Sequence, residues 1–247
     1  MQNELYIVLS NRLIASHVWE MRLSPVQSAC AEICAGQFVN IAVPDLYLRR
    51  PISVCNWQDG VLTIIYKVVG AGTRVMAQWE EGRTVDMLAG LGNGYDLTKA
   101  GDSPLLVGGG VGVPPLYMLA RLLRGQGKSV RVVLGFNTAA EIFYAQEFRA
   151  LGCEVEVTTA DGSYGTKGFV TDARLADAFT PSYYYACGPL PMLRAVSGKW
   201  GSGGEISMEE RMGCGFGACM GCSIETAQGP KRVCKEGPVF PAGDIIW

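Results

Sequence analysis

The chain has 247 residues, 49% of them hydrophobic and 18% charged, with a formal net charge of −2. That composition describes a folded protein with real cores, and it offers no electrostatic basis for binding nucleic acid or a membrane surface. The length allows two modest domains, at roughly 100–150 residues each. The first residues, Met1-Gln2-Asn3-Glu4-Leu5, lack the basic and apolar regions of a signal peptide. No uninterrupted apolar stretch reaches the ~18 residues of a membrane span. Nine cysteines without a secretory signal fit a reducing cytoplasm better than a disulfide framework. Five of them, Cys30, Cys34, Cys55, Cys153 and Cys187, are scattered, and most are expected to be small buried hydrophobes.

Residues 1–100 read as β-rich. Leu5–Leu9, Trp19–Leu23, Phe38–Ile41 and Val61–Val68 are short strand candidates separated by turn signals, the pattern of a small antiparallel barrel or sandwich. Arg49-Arg50-Pro51-Ile52-Ser53 is placed after one strand and before another. Arginine presents a rigid donor fork suited to phosphate, and serine a hydroxyl suited to a flavin ring edge or ribityl chain. Ile65-Tyr66-Lys67 and Gly72-Thr73 follow, offering an aromatic plane, a cation and a glycine–threonine turn that could complete a flavin pocket. A solvated basic turn would carry the same composition. The single histidine, His17, pairs with no nucleophile or metal group in the pattern, so a structural role fits it better.

From Pro104 the pattern changes. Leu105-Leu106-Val107 reads as a buried strand and Leu116–Leu123 as a helix. Strand Val130–Leu134, helix Ala139–Leu151, strand Glu154–Thr158, helix Val170–Ala178 and strand Tyr183–Ala186 follow. Such alternation marks a parallel α/β sheet. The loop Gly108-Gly109-Gly110-Val111-Gly112 lies between the first strand and helix, where backbone N–H groups can approach a pyrophosphate, and Pro114-Pro115 mark the helix start. The next strand ends in Gly135-Phe136-Asn137, without the acid that usually grips an adenosine ribose. Asp161, in Asp161-Gly162-Ser163-Tyr164-Gly165, follows a strand and is either a ribose contact or a surface turn. Between Leu151 and Asp172 the only cation is Lys167, so no arginine clamp for a 2′-phosphate is apparent and NAD is favoured over NADP. Cys187-Gly188-Pro189 ends the last strand on the side where such sheets bind ligands.

A glycine linker, Gly201–Gly204, leads to Cys214, Cys219, Cys222 and Cys234. Their spacing, C-x4-C-x2-C with eleven residues before the fourth cysteine, is that of a plant-type [2Fe–2S] site. The surrounding glycines, Gly213, Gly215, Gly217 and Gly221, allow tight folding around a small cluster. Structural zinc is the competing reading, but zinc sites more often pair two Cys-x2-Cys knuckles or add histidine.

At these residues a family resemblance emerges. Arg50-Pro51-Ile52-Ser53 with Gly72-Thr73 resembles the flavin-binding pattern of the ferredoxin–NADP reductase superfamily, and Gly108–Pro115 with Cys187-Gly188-Pro189 its pyridine-nucleotide motifs. The segment Ser207-Met208-Glu209-Glu210-Arg211-Met212-Gly213-Cys214-Gly215 resembles the electron-transfer subunits of NAD-dependent (type B) dihydroorotate dehydrogenases. The resemblance spans the chain and implies an FAD-binding β-barrel over 1–100, an NAD-binding α/β domain over 101–203 and a [2Fe–2S] subdomain over 204–247. It further implies Cys187 near the nicotinamide and an FMN-containing catalytic partner subunit, two copies of each in the complex. The rival within oxidoreductases is a reductase serving another redox partner. Such enzymes often carry a ferredoxin domain of roughly a hundred residues. The cysteine segment is too short to be one, so it is expected to lean on the other domains or on a partner.

Overall fold

Alternating apolar residues in the first part of the chain close into a six-stranded antiparallel barrel. Its strands are β1 (Gln2–Ala15), β2 (Val18–Pro25), β3 (Phe38–Ile41), β4 (Arg50–Gln58), β5 (Val61–Lys67) and β6 (Thr84–Leu91), in spatial order β1-β2-β5-β4-β3-β6. A short helix, α1 (Ala71–Met76), links β5 to β6. The computed structural model describes residues 2–27 and 32–247; Cys30 lies outside them. Closure of the barrel removes the exposed edges that a sheet of this size would otherwise present.

The second half builds a seven-stranded sheet of β7 (Leu105–Gly109), β8 (Arg131–Phe136), β9 (Glu154–Thr159), β10 (Thr166–Lys167), β11 (Tyr184–Cys187), β12 (Gly204–Ser207) and, after the cysteines, the strand Val239–Pro241. The order is β10-β9-β8-β7-β11-β12 and then Val239–Pro241, which alone runs antiparallel. Four helices accompany it: α2 (Pro114–Gly125), α3 (Ala145–Ala150), α4 (Arg174–Asp177) and α5 (Leu190–Trp200). Between β12 and the last strand a hairpin of β13 (Ser223–Ile224) and β14 (Lys231–Arg232) follows the first three cysteines, so Val239–Pro241 is β15. The parallel sheet therefore continues past Gly203: β12 begins at the last residue of the supposed linker, and a side chain at Gly204 would strike the Tyr184 ring.

Several elements differ from the sequence reading, each for a tertiary reason. Arg50–Ser53 is not a turn between strands but the start of β4, where Pro51 stands opposite Asn40 of β3. The helix expected over 139–151 breaks into a 3-10 turn, Ala139–Glu141, and α3. Between them Tyr144 takes a left-handed φ of 63° and its hydroxyl donates to Glu20 Oε2 on β2 at 2.8 Å. The helix expected over 170–178 is likewise divided, because the Glu156 carboxylate accepts from the N–H groups of Arg174 (3.1 Å) and Leu175 (2.6 Å) and starts α4 there. Strand β6 and helix α5 had no counterpart in the sequence reading.

The barrel and sheet share one apolar core, running from Tyr6, Met21 and Ile64 to Leu116, Leu134 and Phe148. Helix α2 packs on β4, and Arg121 ties them, its Nε donating to Asn56 Oδ1 and its Nη2 to Trp57 O, both at 3.1 Å. A second core joins Phe38 and Leu91 of the barrel to Ile206, Cys222, Val233, Cys234 and Phe240. Fully burying a side chain such as Phe240 contributes about 1.5–3 kcal/mol, so the cysteine segment is anchored rather than tethered.

Candidate functional site

The barrel wall carries the first group of candidates. Arg50 opens β4 and its guanidinium lies over Gly72 of α1; a Cβ at Gly72 would collide with Arg50 Nε. Arg50 also donates to Leu48 O, while Pro51, Ile52 and Ser53 remain partly exposed along the strand. Thr73 is buried and its Oγ1 accepts from Val69 N (3.1 Å) and Gly70 N (3.3 Å), closing the turn into α1. The neighbouring Arg49 faces elsewhere: Nη1 pairs with Asp86 Oδ1 at 2.9 Å and donates to Asn40 O at 3.3 Å.

Ile65-Tyr66-Lys67 does not supply the aromatic plane and free cation expected of it. Tyr66 is 2% exposed and its hydroxyl donates to Asn11 Oδ1 at 2.9 Å, so the ring belongs to the barrel core; Ile65 is buried beside it. Lys67 Nζ pairs with Glu141 Oε1 at 2.9 Å across the two domains. Glu141 also accepts from Asn137 N and Nδ2, and with Lys67 foremost these donors hold its carboxyl below the ordinary 4.5. What the β5 segment can offer a ligand is its backbone, where it lies against the glycine turn 110–112.

In that turn the glycines separate by function. Gly112 packs on the backbone of Cys187, and a Cβ there would collide with Cys187 O. Gly108 lies against Val113, and Gly109 and Gly188 against Met192. Gly110, with φ +52°, borders open space. Pro114 and Pro115 occupy the first positions of α2, as the sequence indicated. Cys187 ends β11 opposite Gly108 and Ser207. Burial pushes its thiol up to about 12, so it stays neutral at physiological pH. Pro189 is exposed and caps α5. Asp161 forms an exposed turn, accepting from Ser163 Oγ (2.6 Å) and N (2.9 Å), while the Lys167 stem packs over Gly162. The structure thus gives Asp161 the geometry of a surface turn at the carboxyl end of the sheet.

The cysteine loop is built differently. Cys214 Sγ accepts from the backbone N–H of Ala218 (3.2 Å) and Cys219 (3.4 Å), and Cys222 Sγ from that of Cys234 (3.4 Å). Against the upward push of burial, N–H groups of Phe216, Cys219 and Ala218 and the Cys219 thiol bring the Cys214 thiol down to about 6. Burial, then Cys222, pushes Cys234 up to about 12. Cys222 and Cys234 are 2% exposed, while Cys219 is exposed and Cys214 partly so. By burial and by these N–H···S bonds the four stand as two pairs, Cys214 with Cys219 and Cys222 with Cys234. Among the described residues no three His, Cys, Asp or Glu side chains converge to hold a single metal ion. Two thiol pairs with backbone donors on their sulfurs fit a two-iron cluster better than one tetrahedral zinc.

Of the scattered cysteines, Cys55 and Cys153 are buried as expected, whereas Cys34 is exposed. His17 occupies the exposed β1–β2 turn with φ 59°, and its carbonyl accepts from Val68 N, a structural role. Sequence reasoning missed two asparagines that dock the cysteine segment on the barrel. Asn93 donates from Nδ2 to Glu236 O (2.9 Å) and Val239 O (2.8 Å), and accepts from Val239 N (3.0 Å). Asn40 donates from Nδ2 to Cys214 O at 3.2 Å. A polar residue inside the apolar run Phe38-Val39-Asn40-Ile41 was the available signal.

A closed barrel joined to a parallel nucleotide sheet, with a paired-cysteine loop docked on both, defines an electron-transfer flavoreductase-like oxidoreductase with an iron–sulfur domain. Residues 106–198 match an oxidoreductase NAD-binding domain, and residues 209–246 the iron–sulfur cluster binding domain of dihydroorotate dehydrogenase B. Relatives include the dihydroorotate dehydrogenase B (NAD(+)) electron transfer subunits of Bacillus caldolyticus (47% identical) and Geobacillus kaustophilus strain HTA426 (48% identical), each alignment covering 98% of both chains. The chain belongs to this family of electron transfer subunits. Among solved structures, an NADH-dependent reduced ferredoxin–NADP oxidoreductase studied for flavin-based electron bifurcation superposes with a TM-score of 0.86 at 30% identity, over 100% of this chain and 90% of that one. Phthalate dioxygenase reductase shares the fold, with a TM-score of 0.67 at 21% identity over 91% and 87%.

Proposed function

We propose that the chain exchanges electrons between NAD(H) and the FMN-containing catalytic subunit of dihydroorotate dehydrogenase, in pyrimidine (UMP) biosynthesis. In this reading residues 1–100 hold FAD, 101–203 hold NAD, and 204–247 hold a [2Fe–2S] cluster. FAD and the cluster, when bound, supply the conversion between a two-electron hydride and single electrons, which no side chain of this protein performs. The chain's own contribution is placement. Arg50 offers its guanidinium fork to a phosphate beside Gly72 and Thr73, and Pro51, Ile52 and Ser53 with the backbone of Ile65, Tyr66 and Lys67 line the flavin. Gly108, Gly109, Gly110 and Gly112 bring the start of α2 close to the nucleotide's pyrophosphate, and Gly110 faces the open side. Cys187, Gly188 and Pro189 border the nicotinamide with a neutral thiol, and Asp161 meets the adenosine ribose. Cys214, Cys219, Cys222 and Cys234 ligate the cluster.

The observation that carries this reading is the docking of the cysteine loop, through Asn40, against β3, the barrel strand that pairs with the Pro51 strand β4. The catalytic subunit's place is over the cluster, where Phe216, Met220 and Cys219 are exposed. An apolar rim around an exposed redox loop suits a protein partner. Among the described residues no helix is long and apolar enough to cross a membrane, and the reading places the complex, two copies of each subunit, in the cytoplasm. Co-expression with the FMN-containing subunit, followed by size measurement and cofactor analysis, tests it. A stable complex containing FAD, FMN, iron and acid-labile sulfide is expected. A chain that carries FAD and cluster but never associates with that subunit, and reduces another redox protein instead, contradicts it.

A further inference from the structure

Strand β3 is buried at all four positions, and Asn40 is its one polar residue. The side chain is 1% exposed and only half satisfied: Nδ2 donates to Cys214 O at 3.2 Å, while Oδ1 is enclosed without a hydrogen-bond partner. Leaving a buried acceptor unpaired costs about 1–3 kcal/mol, a penalty that an apolar residue in β3 would avoid. The amide is therefore poorly explained by barrel stability alone.

Its neighbours suggest another reason. On one side Asn40 stands opposite Pro51 of β4, and its carbonyl is held by Arg49 Nη1 at 3.3 Å. On the other, Gly215 takes a left-handed φ of +78° and lies so close that a Cβ there would collide with Asn40 Nδ2. The amide reaches from β3, the strand paired with that of the flavin motif, to the turn that follows the first proposed cluster cysteine, joining positions 174 residues apart in sequence.

We propose that Asn40 is a positioning residue for electron exchange: it fixes the Cys214–Gly215 turn against β3, next to the Pro51 strand, and so sets the spacing and packing between the flavin site and the cluster. The inference rests on the assignment of FAD to the barrel and of the cluster to the four cysteines. Hydrogen bonds just outside a metal's ligands orient them and tune the metal's potential, which is the role this geometry gives the amide.

The test uses the complete complex under anaerobic conditions, with Asn40→Leu and Asn40→Ala. Both remove the donor to Cys214 O; alanine brings no overpacking, so it decides the matter if the leucine variant does not fold. FAD content and the rate of flavin bleaching by NADH should stay at wild-type values. Cluster reduction in stopped flow should slow at least about tenfold, with an altered electron paramagnetic resonance spectrum or with iron lost while FAD stays bound. Wild-type cluster reduction and a wild-type spectrum in both foldable variants would overturn the role of Asn40. Failure of the underlying assignment is distinguishable, because the unsubstituted protein would then contain no FAD or no iron and sulfide.

Discussion

The chain has two glycine-rich loops, and they use glycine for opposite reasons. At the end of β7 and in the turn that follows, Gly108, Gly109 and Gly112 are buried; a Cβ would crowd Val113 at the first and Met192 at the second, and at the third the Cys187 backbone leaves no space for one. In the cysteine loop, Gly215 and Gly217 take left-handed φ values of +78° and +90°, and Gly213 would press a Cβ to 3.2 Å from Cys219 Sγ. The first loop is shaped by close approach of rigid elements, the second by the need to wrap backbone around sulfur. Damage to the first should therefore act through packing and nucleotide affinity, and damage to the second through loss of the metal centre.

The largest expected effect lies in the cysteine loop. Cys222→Ser or Cys234→Ser alters one of the two buried cysteines proposed as ligands. Each should abolish the cluster's visible absorption and iron content while flavin bleaching by NADH persists. Cluster retention in either variant would show that the pairing is wrong. In the nucleotide loop, Gly112→Ala forces a Cβ against backbone that side-chain rotation cannot relieve. It should lower stability in urea melts by about 1–3 kcal/mol and weaken NADH binding, leaving the cluster spectrum unchanged.

A smaller change is expected at the exposed turn beside that loop. Asp161→Ala removes a carboxylate that would repel a 2′-phosphate and leaves Lys167 close by. The ratio of kcat/KM for NADH over NADPH should fall, and an unchanged ratio would return Asp161 to the status of a plain surface turn. The smallest effect concerns the Lys67–Glu141 pair between the domains. Because Lys67 holds the Glu141 carboxyl below 4.5, its contribution is present above that pH and fades as pH falls through the lowered value. Urea melts should show Glu141→Gln less stable than wild type by up to about 1 kcal/mol at neutral pH, the difference closing in acid.

The iron–sulfur domain was legible because the four cysteines proposed as ligands are close in sequence and their spacing is itself the signal. The barrel strands Phe38–Ile41 and Val61–Lys67 were legible from apolar runs, and α2 from the two prolines at its start. Strand β4 was hidden because arginine and proline at its start read as a turn, whereas the pairing of Pro51 with Asn40 is tertiary. The directions of the Tyr66 ring and the Arg49 fork were hidden for a related reason. Residue type named their chemistry, but the direction of the side chain, into the core for one and onto Asp86 for the other, depends on the closed barrel. Glu141 likewise came into view only when Lys67 and Asn137 were brought to it.

The central claim is that hydride electrons arriving at the nucleotide sheet leave singly through the docked cysteine loop. An anaerobic NADH titration of the purified chain, followed by absorbance and electron paramagnetic resonance, tests it most directly. The account predicts bleaching of a bound flavin together with the appearance of a reduced [2Fe–2S] signal. A colourless protein with one zinc per chain, or a flavin that bleaches while a bound cluster stays oxidised, would contradict it.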